Sequence, residues 1–470
     1  MKVTFIRPNI GRLESGVYID EGRMEPLSLG VIAAYTPADV ECVLYDDRME
    51  EIPFDEPTDL AAITVELYNA RRSYEIAAEY RRRGVPVVMG GFHPTLAAEE
   101  CQQHADAIVT GDAELVWPTV VEDARRGRLR NRYDGTTPHP QPGGVIPRRD
   151  LYKGKGYLPI SLLQFGRGCR FACDFCAISS FFDRKQTVRP VDDVLAELEQ
   201  RDSNLVFFVD DNFVSSHDAL KTLLRALIPL KIRWVSQGSL DMTEDDELMD
   251  LIEASGGQGL VVGFESVNQD NVKSMRKACN LSKKFSGWDR YARQVEILRR
   301  HHLQTWASFT LGHDHDTPDS IEETFRFAED SKFCFAAFNI LMPYPGTALY
   351  RRLEMEGRLL WGGKWWLHPD YRFNHAAFVP RHMSPEELTE SVWGIRQRWN
   401  SARSIFKRMW DFQTHLDSPY RLGTYLVYNR LYAAEAWTKH GMFFGRKRGS
   451  IGPQIVRSDG GAGVRQRHAG

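Results

Sequence analysis

The sequence predicts an α/β protein. A doubly wound parallel sheet is expected over about residues 1–135, a partial (β/α)6 barrel over 159–375 and a mostly helical C-terminal domain over 376–448. Three observations carry this reading. Short apolar runs alternate with helical patterns through the first 135 residues, a Pro- and Gly-rich linker occupies 136–158, and six more strand-plus-helix units follow it. A chain of 470 residues is long enough for two or three domains, each with its own core. The net charge of −3 does not mark a nucleic-acid binder, and 42% hydrophobic with 26% charged residues is ordinary for a globular protein. Met1 to Pro8 lacks the apolar stretch of a signal peptide, and no run approaches the roughly 20 apolar residues of a membrane span. Only seven cysteines, four of them scattered at 42, 101, 279 and 334, argue against a disulfide framework and for a cytoplasmic location.

In the N-terminal domain, Val3–Arg7, Val40–Tyr45, Leu60–Val65, Val85–Met89 and Ala107–Thr110 read as buried parallel strands. Helical patterns fall between them at Leu27–Tyr35, Ala70–Arg83 and Thr95–Gln103. Ligands of such sheets sit outside the carboxyl ends of the strands. The loops at those ends hold Asn9, Thr64 and Glu66, then Gly90, Gly91, Phe92 and His93, then Gly111 and Glu114. Gly90 and Gly91 let backbone approach a large planar ligand closely. His93 is either a contact to that ligand or a capping residue of its loop.

Six strands are expected in the barrel: Leu162–Phe165, Leu205–Val209, Ile232–Ser236, Gly259–Gly263, Thr305–Leu311 and Phe335–Leu341. Helices near 191–201, 217–228, 244–254, 289–302, 319–330 and 346–356 alternate with them. Functional groups of a parallel barrel gather at the carboxyl ends of its strands. After the first strand comes Gly166-Arg167-Gly168-Cys169-Arg170-Phe171-Ala172-Cys173-Asp174-Phe175-Cys176. Three thiolates spaced C-x3-C-x2-C can hold three irons of a [4Fe–4S] cluster and leave the fourth iron open for chemistry. A structural zinc site would need a fourth Cys or His nearby, and the nearest downstream histidine is His217.

This run, with Phe175 directly before the last cysteine, resembles the cluster loop of the radical S-adenosylmethionine (SAM) enzymes. The resemblance implies that Cys169, Cys173 and Cys176 bind the cluster, that Phe175 shields it, and that the open iron chelates SAM and cleaves it to a 5′-deoxyadenosyl radical. Asp210, Asp211 and Asn212 at the end of the second strand are placed to meet the SAM amino group or ribose, or else to cap the next helix. Gln237 ends the third strand, as a cofactor contact or as turn chemistry. Gly263-Phe264-Glu265-Ser266 resembles the family's G-[FIV]-E-S run, whose glutamate contacts SAM, and an acid there needs a partner. Asp316-Thr317-Pro318 mainly starts a helix, although His313, Asp314, His315 and Asp316 also contain the donor types of a second metal site. Met342-Pro343-Tyr344-Pro345-Gly346-Thr347 is similar to the P-x-P-G-T turn of cobalamin-dependent members, with Tyr344 as a substrate neighbour or a packing residue.

Glu25–Gly30, Gly90–Thr95 and Gly111–Glu114 together look like the cobalamin-binding domain that precedes many radical SAM barrels. Many cobalamin domains supply a histidine to cobalt from a D-x-H-x-x-G loop. Here the first loop reads Asn9-Ile10-Gly11-Arg12-Leu13-Glu14, so cobalamin is expected to bind without a histidine ligand. The C-terminal segment is rich in aromatic residues, with 12 Lys/Arg against 4 Asp/Glu from 401 to 470. A packed helical cap that shapes the substrate cavity is the expected reading, with a membrane-surface face as the other. Residues 449–470 lack apolar periodicity and are expected to be disordered.

The resemblance implies a cobalamin-dependent radical SAM methyltransferase that acts on an unactivated carbon of a small-molecule or lipid substrate. Glu265 and Tyr344 are its candidate catalytic residues, and an electron donor such as flavodoxin or ferredoxin would serve it. The alternatives are a radical SAM enzyme that forms a ring or a carbon–carbon bond or transfers another fragment of SAM, and a non-catalytic cobalamin or redox sensor. Six units with polar residues at each strand mouth speak against the sensor.

Overall fold

The computed structural model describes residues 1–13, 16–17, 23–135, 145–281 and 289–445. The expected tail at 449–470, Glu14 of the first loop and part of the linker lie outside the described residues. The N-terminal domain runs β1 (Lys2–Arg7), β2 (Gly11–Leu13), β3 (Gly16–Val17), α1 (Leu27–Ala34), β4 (Glu41–Asp46), β5 (Leu60–Thr64), α2 (Ala70–Arg82), β6 (Val87–Gly90), α3 (Phe92–Leu96), α4 (Ala98–Gln102), β7 (Ala107–Thr110), α5 (Trp117–Arg125) and β8 (Arg132–Asp134). Its sheet has the order β4-β1-β5-β6-β7-β8, with every pair parallel. Strands β1, β5, β6 and β7 are apolar on both faces because helices cover both sides. The chain reverses direction between β1 and β5, so the crevice for a ligand falls at the carboxyl ends of those strands.

Two features depart from the sequence expectation. The helix expected at Thr95–Gln103 is broken at Ala97 into α3 and α4. Pro94 lies within α3, and the break lets His93 turn inward. Strand β8 adds a sixth strand at the sheet edge that the alternation did not reveal, since only Tyr133 of its three residues is buried.

The barrel follows with β9 (Ser161–Leu163), β10 (Gly166–Gly168), α6 (Ala177–Phe181), β11 (Gln186–Val188), α7 (Val191–Glu199), β12 (Leu205–Phe208), α8 (His217–Leu227), β13 (Arg233–Gly238), α9 (Asp246–Ala254), β14 (Gly257–Glu265), α10 (Gln269–Ser274), α11 (Asp289–Arg300), β15 (Trp306–Leu311), α12 (Pro318–Asp330), β16 (Phe335–Ile340) and α13 (Ala348–Met355). Six parallel strands pair in chain order from β9 through β12 to β16. Strands β9 and β16 do not pair with each other, so the barrel is open on one side. Thr317 starts α12 as a capping box with Ser320, with Pro318 in the first turn, as its sequence suggests.

The last helices are α14 (Pro385–Trp399), α15 (Ala402–Met409) and α16 (Pro419–Lys439), followed by β17 (Phe443–Phe444). Helix α14 flanks the barrel edge, and α16 lays Tyr420, Thr424, Tyr428 and Tyr432 against the barrel floor. Strand β17 returns to pair with β2, and Trp365, Trp366, Tyr371 and Phe444 share a core with the α2 face of the N-terminal sheet. Most of the C-terminal aromatics are therefore packing residues, while Phe406, Trp410, Phe412 and Trp437 remain exposed. No described helix is long and apolar enough to cross a membrane.

Arg408 is fully buried and holds this layer together. Its guanidinium donates to the carbonyls of Phe333, Cys334 and Trp399 and to the side chain of Asn429. Arg408→Ala would leave those acceptors unsatisfied in the core. It is expected to lower the unfolding free energy by about 2–4 kcal/mol in urea titrations, and no change would contradict this account.

Candidate active site at the domain boundary

The three cysteines of the spaced run lie on one loop, held at both ends by backbone hydrogen bonds. Its first arm, β10, pairs antiparallel with β11. Gly168 there has φ +80°, and a side chain at that position would strike the Lys185 carbonyl. Asp174 N–H donates to the Met275 carbonyl at 3.0 Å, and Leu349 N–H donates to the Asp174 carbonyl at 2.9 Å. All three cysteines are free thiols. Burial pushes the Cys173 thiol up, and Lys277 acts against that shift; Cys176 is likewise pushed up by burial. Such thiols become thiolates when a metal replaces their protons. Asn212 Nδ2 lies 3.4 Å from Cys169 Sγ and so donates toward a prospective cluster ligand.

No three His, Cys, Asp or Glu side chains among the described residues converge on a single metal ion. Thiolates at the corners of an iron–sulfur cube stand farther apart than those on one ion, and one loop bearing three free thiols fits that donor set. Asp316 accepts from the amides of Gly312 and His313, which is helix-start work. His313 is buried with its ring 5.9 Å from Phe175, and its Nε2 has no hydrogen-bond partner.

The structure reassigns the acids after β12. Asp210 is 1% exposed and accepts from the Phe165 and Gly166 amides at 2.8 and 2.6 Å. Asp211 accepts from the Gly168 amide at 2.7 Å. Both carboxylates thus brace the first arm of the cluster loop. Burial pushes Asp210 up to about 8 and Asp211 up to about 6, even against these amides. Gln237 Nε2 donates to the Asp210 carbonyl at 2.5 Å and supports the same turn.

Glu265 closes β14 with φ 61°, a left-handed conformation that is strained for a residue with a side chain. Its carboxylate accepts from Lys277 Nζ at 2.8 Å and from Thr310 Oγ1 at 2.6 Å. A side chain at Gly263 would run into this Glu265–Lys277 pair. The partner that an acid at this strand mouth requires is therefore Lys277. Neither Lys277 nor Cys279, which senses the charges of Cys169 and Glu265, stands out in the sequence, because the 3-10 turn carrying Cys279 reaches the site only through the fold.

On the other side of the boundary, a cavity of about 290 Å³ opens at the carboxyl ends of the N-terminal strands. Thr64, Glu66, Gly90, Gly91, Phe92, Gly111 and Glu114 line it, together with Gln164, Arg167 and Asp211 from the barrel. Gly91 has φ +117°, and a Cβ there would lie 2.8 Å from the Val65 carbonyl. Arg167 crosses the boundary to pair with Glu114 and, at 3.3 Å, with Asp112. Two expected residues face elsewhere. His93 is buried, bonded to Glu100 at 3.0 Å and packed edge-on against Trp366, so the loop-capping reading holds. Asn9 folds into its own loop, where its side-chain oxygen accepts from the Ile10 amide at 2.7 Å. Tyr344 stands 6.1 Å from Tyr68 in an aromatic wall between the domains.

The Radical SAM superfamily profile matches residues 163–328, which spans the cluster loop and the strands around Glu265. Residues 163–328 thus form a radical SAM domain. A doubly wound parallel domain precedes its barrel. Among curated relatives, bacteriochlorophyllide d C-12(1)-methyltransferase of Chlorobaculum tepidum is 26% identical over 409 residues, covering 84% of this chain and 87% of that one. Hopanoid C-2 methylase of Rhodopseudomonas palustris is 23% identical, covering 83% and 73%. The fold is shared with OxsB, a cobalamin-dependent SAM radical enzyme solved with aqua-cobalamin, at TM-score 0.63, 13% identity and coverage of 93% and 71%. It is also shared with the methyltransferase TsrM from Kitasatospora setae, at TM-score 0.59, 17% identity and coverage of 76% and 78%.

Burial pushes Glu66 up to about 7, with Arg7 acting against the shift. A carboxyl that ionises near 7 when folded and near 4.5 when unfolded binds more protons in the folded state. Its contribution to stability is therefore lost as pH rises through that window. Glu66→Gln is expected to raise the unfolding free energy by about 1–3 kcal/mol near pH 8 and to leave it unchanged near pH 4. Equal effects at the two pH values would refute the assignment.

Proposed function

We propose that this protein is a cobalamin-dependent radical SAM methyltransferase that places a methyl group on an unactivated carbon of a small, largely apolar molecule. The observation that carries this reading is the cavity shared by the two domains. The glycine-lined crevice of the N-terminal sheet is walled on its far side by Gln164 and Arg167, which lie five and two residues before Cys169. A cofactor in that crevice would lie beside the cluster loop. The names of two relatives add support: one is a bacteriochlorophyllide d methyltransferase and the other a hopanoid methylase.

When bound, the cluster and SAM supply a carbon-centred radical, and cobalamin supplies the methyl group. The chain's own part is to bind, orient and seal. Cys169, Cys173 and Cys176 would hold the cluster, and Asn212 would donate to the Cys169 sulfur. Glu265, fixed by Lys277 and Thr310, would present its buried carboxylate to SAM. Gly90, Gly91 and Gly111 leave room for cobalamin, and the Arg167 bridge keeps its crevice in line with the barrel mouth. Phe175 packs against the barrel core beside the loop and excludes water.

The test is anaerobic expression with cobalamin supplied, followed by metal and cofactor analysis. About four irons and one cobalamin per chain are expected. Label from methyl-tritiated SAM should appear on cobalamin, and 5′-deoxyadenosine should form under strong reductant. Iron without cobalamin would remove the methyltransferase reading and leave a radical SAM enzyme of another kind. Cys173→Ala is expected to lose cluster iron and all SAM cleavage. Gly91→Val should lose cobalamin but keep iron, and retention of cobalamin by that variant would place the cofactor elsewhere.

A further inference from the structure

One arginine near the domain boundary has no part in binding the cofactors. Arg396 stands on α14, beside the barrel edge strand β16. That strand pairs only with β15, and Arg396 Nε donates to its Phe338 carbonyl at 2.7 Å. This one bond fixes the guanidinium at the open side of the barrel. Among the described residues, no Asp or Glu pairs with it, and its electrostatic neighbours are the phenols of Tyr68 and Tyr371. Arg408 on the next helix makes the contrast clear. Arg408 is sealed and its donors are taken up by four acceptors, whereas Arg396 keeps accessible surface and four N–H groups without protein acceptors. The site is nevertheless deep, since burial pulls the Arg396 pKa down to about 10. A cation held deep, without a counter-charge and with its donors still free, is costly unless an anion joins it.

The surroundings indicate what kind of anion. Tyr68 lies 5.5 Å from Phe373 and 6.1 Å from Tyr344, and Tyr371 lies 4.6 Å from Trp365, so the neighbouring wall is aromatic. The strand next to Arg396 leads back to the reaction centre. Asn339, which follows Phe338, is exposed and stands in register with Thr310, and Thr310 bonds Glu265. Thr310 and Asn339 are paired on parallel strands and share a face, and the Thr310 bond to Glu265 links that face to the reaction centre.

We propose that Arg396 is the substrate-recognition residue, binding a carboxylate on a flat, apolar acceptor that lies along the wall of Tyr68 and Tyr344. The inference rests on the methyltransferase reading and refines its substrate class. A planar guanidinium fork matches a carboxylate in two parallel hydrogen bonds. Polycyclic acceptors that carry an acid are selected, and uncharged polycyclic hydrocarbons are not.

The experiment uses the full chain with iron and cobalamin loaded and compares protoporphyrin IX, a dicarboxylic acid, with its dimethyl ester. Binding is read by quenching of tryptophan fluorescence. Wild type should bind the diacid at least about tenfold more tightly than the diester. Arg396→Gln should abolish that preference by weakening diacid binding alone, and Arg396→Lys should keep part of it. Equal affinities in wild type, no binding of either compound, or a preference that survives Arg396→Gln would each overturn the proposal. The wild-type comparison needs no variant, so a misfolded mutant cannot rescue the idea. Cobalamin labelling from SAM is measured without porphyrin, so the methyltransferase reading stands or falls separately.

Discussion

The position of Arg167 governs how the two halves of this protein work together. It sits between Gly166 and Gly168, whose amides are held by Asp210 and Asp211, and its guanidinium reaches into the other domain to Asp112 and Glu114. Four carboxylates around one three-residue arm set where the cluster loop begins and how it faces the N-terminal crevice. Both Asp112 and Glu114 are buried at this contact, so separating the domains would leave acids without their counter-charge. Such a pair adds less net stability than its Coulomb attraction suggests, because both partners lose water. Its larger effect is orientation, since apolar surfaces slide and a buried ion pair does not.

The same economy of buried charge runs through the site. Glu265 and Lys277 answer each other at the mouth of β14, while Asp210 and Asp211 are answered by backbone amides. Arg408 is answered by carbonyls at the base of the helical layer. Set against this pattern, Arg396 stands apart, with one carbonyl and two phenols where its neighbours have complete partners. Protein interiors pair their charges, so a cation that keeps accessible surface and free donors points to a ligand.

Much of the fold is readable from local pattern. Strands buried on both faces appear as continuous apolar runs, and helix starts such as Thr317-Pro318 and Ser384-Pro385 carry capping residues and a proline at the first turn. The strands at β1, β5, β7, β12, β15 and β16 fall within a residue or so of expectation for that reason. Elements with little burial are missed: the edge strand β8 and the small β17-β2-β3 sheet are short and carry no periodic signal. The broken helix at Ala97 is legible only in part, since Pro94 is tolerated in a first turn and does not announce a break three residues later.

The sequence by itself determined the chemistry of the ligands. Three cysteines at fixed spacing on one loop specify a metal cluster, because the loop is short enough to bring them together in any fold. Glycines at the strand ends specify close approach for the same local reason. What only the tertiary structure decided is which side chains those ligands meet. Asp210 and Asp211 are tied to backbone amides of the cluster loop, and His93 is tied to Glu100, by contacts that the sequence does not display. Lys277, Arg167 and Arg396 acquire their roles from residues 12, 53 and 58 positions away, at Glu265, Glu114 and Phe338. The physical reason is that a charged side chain takes its meaning from its partner. Partners far apart in the chain are joined only when folding has removed the water between them.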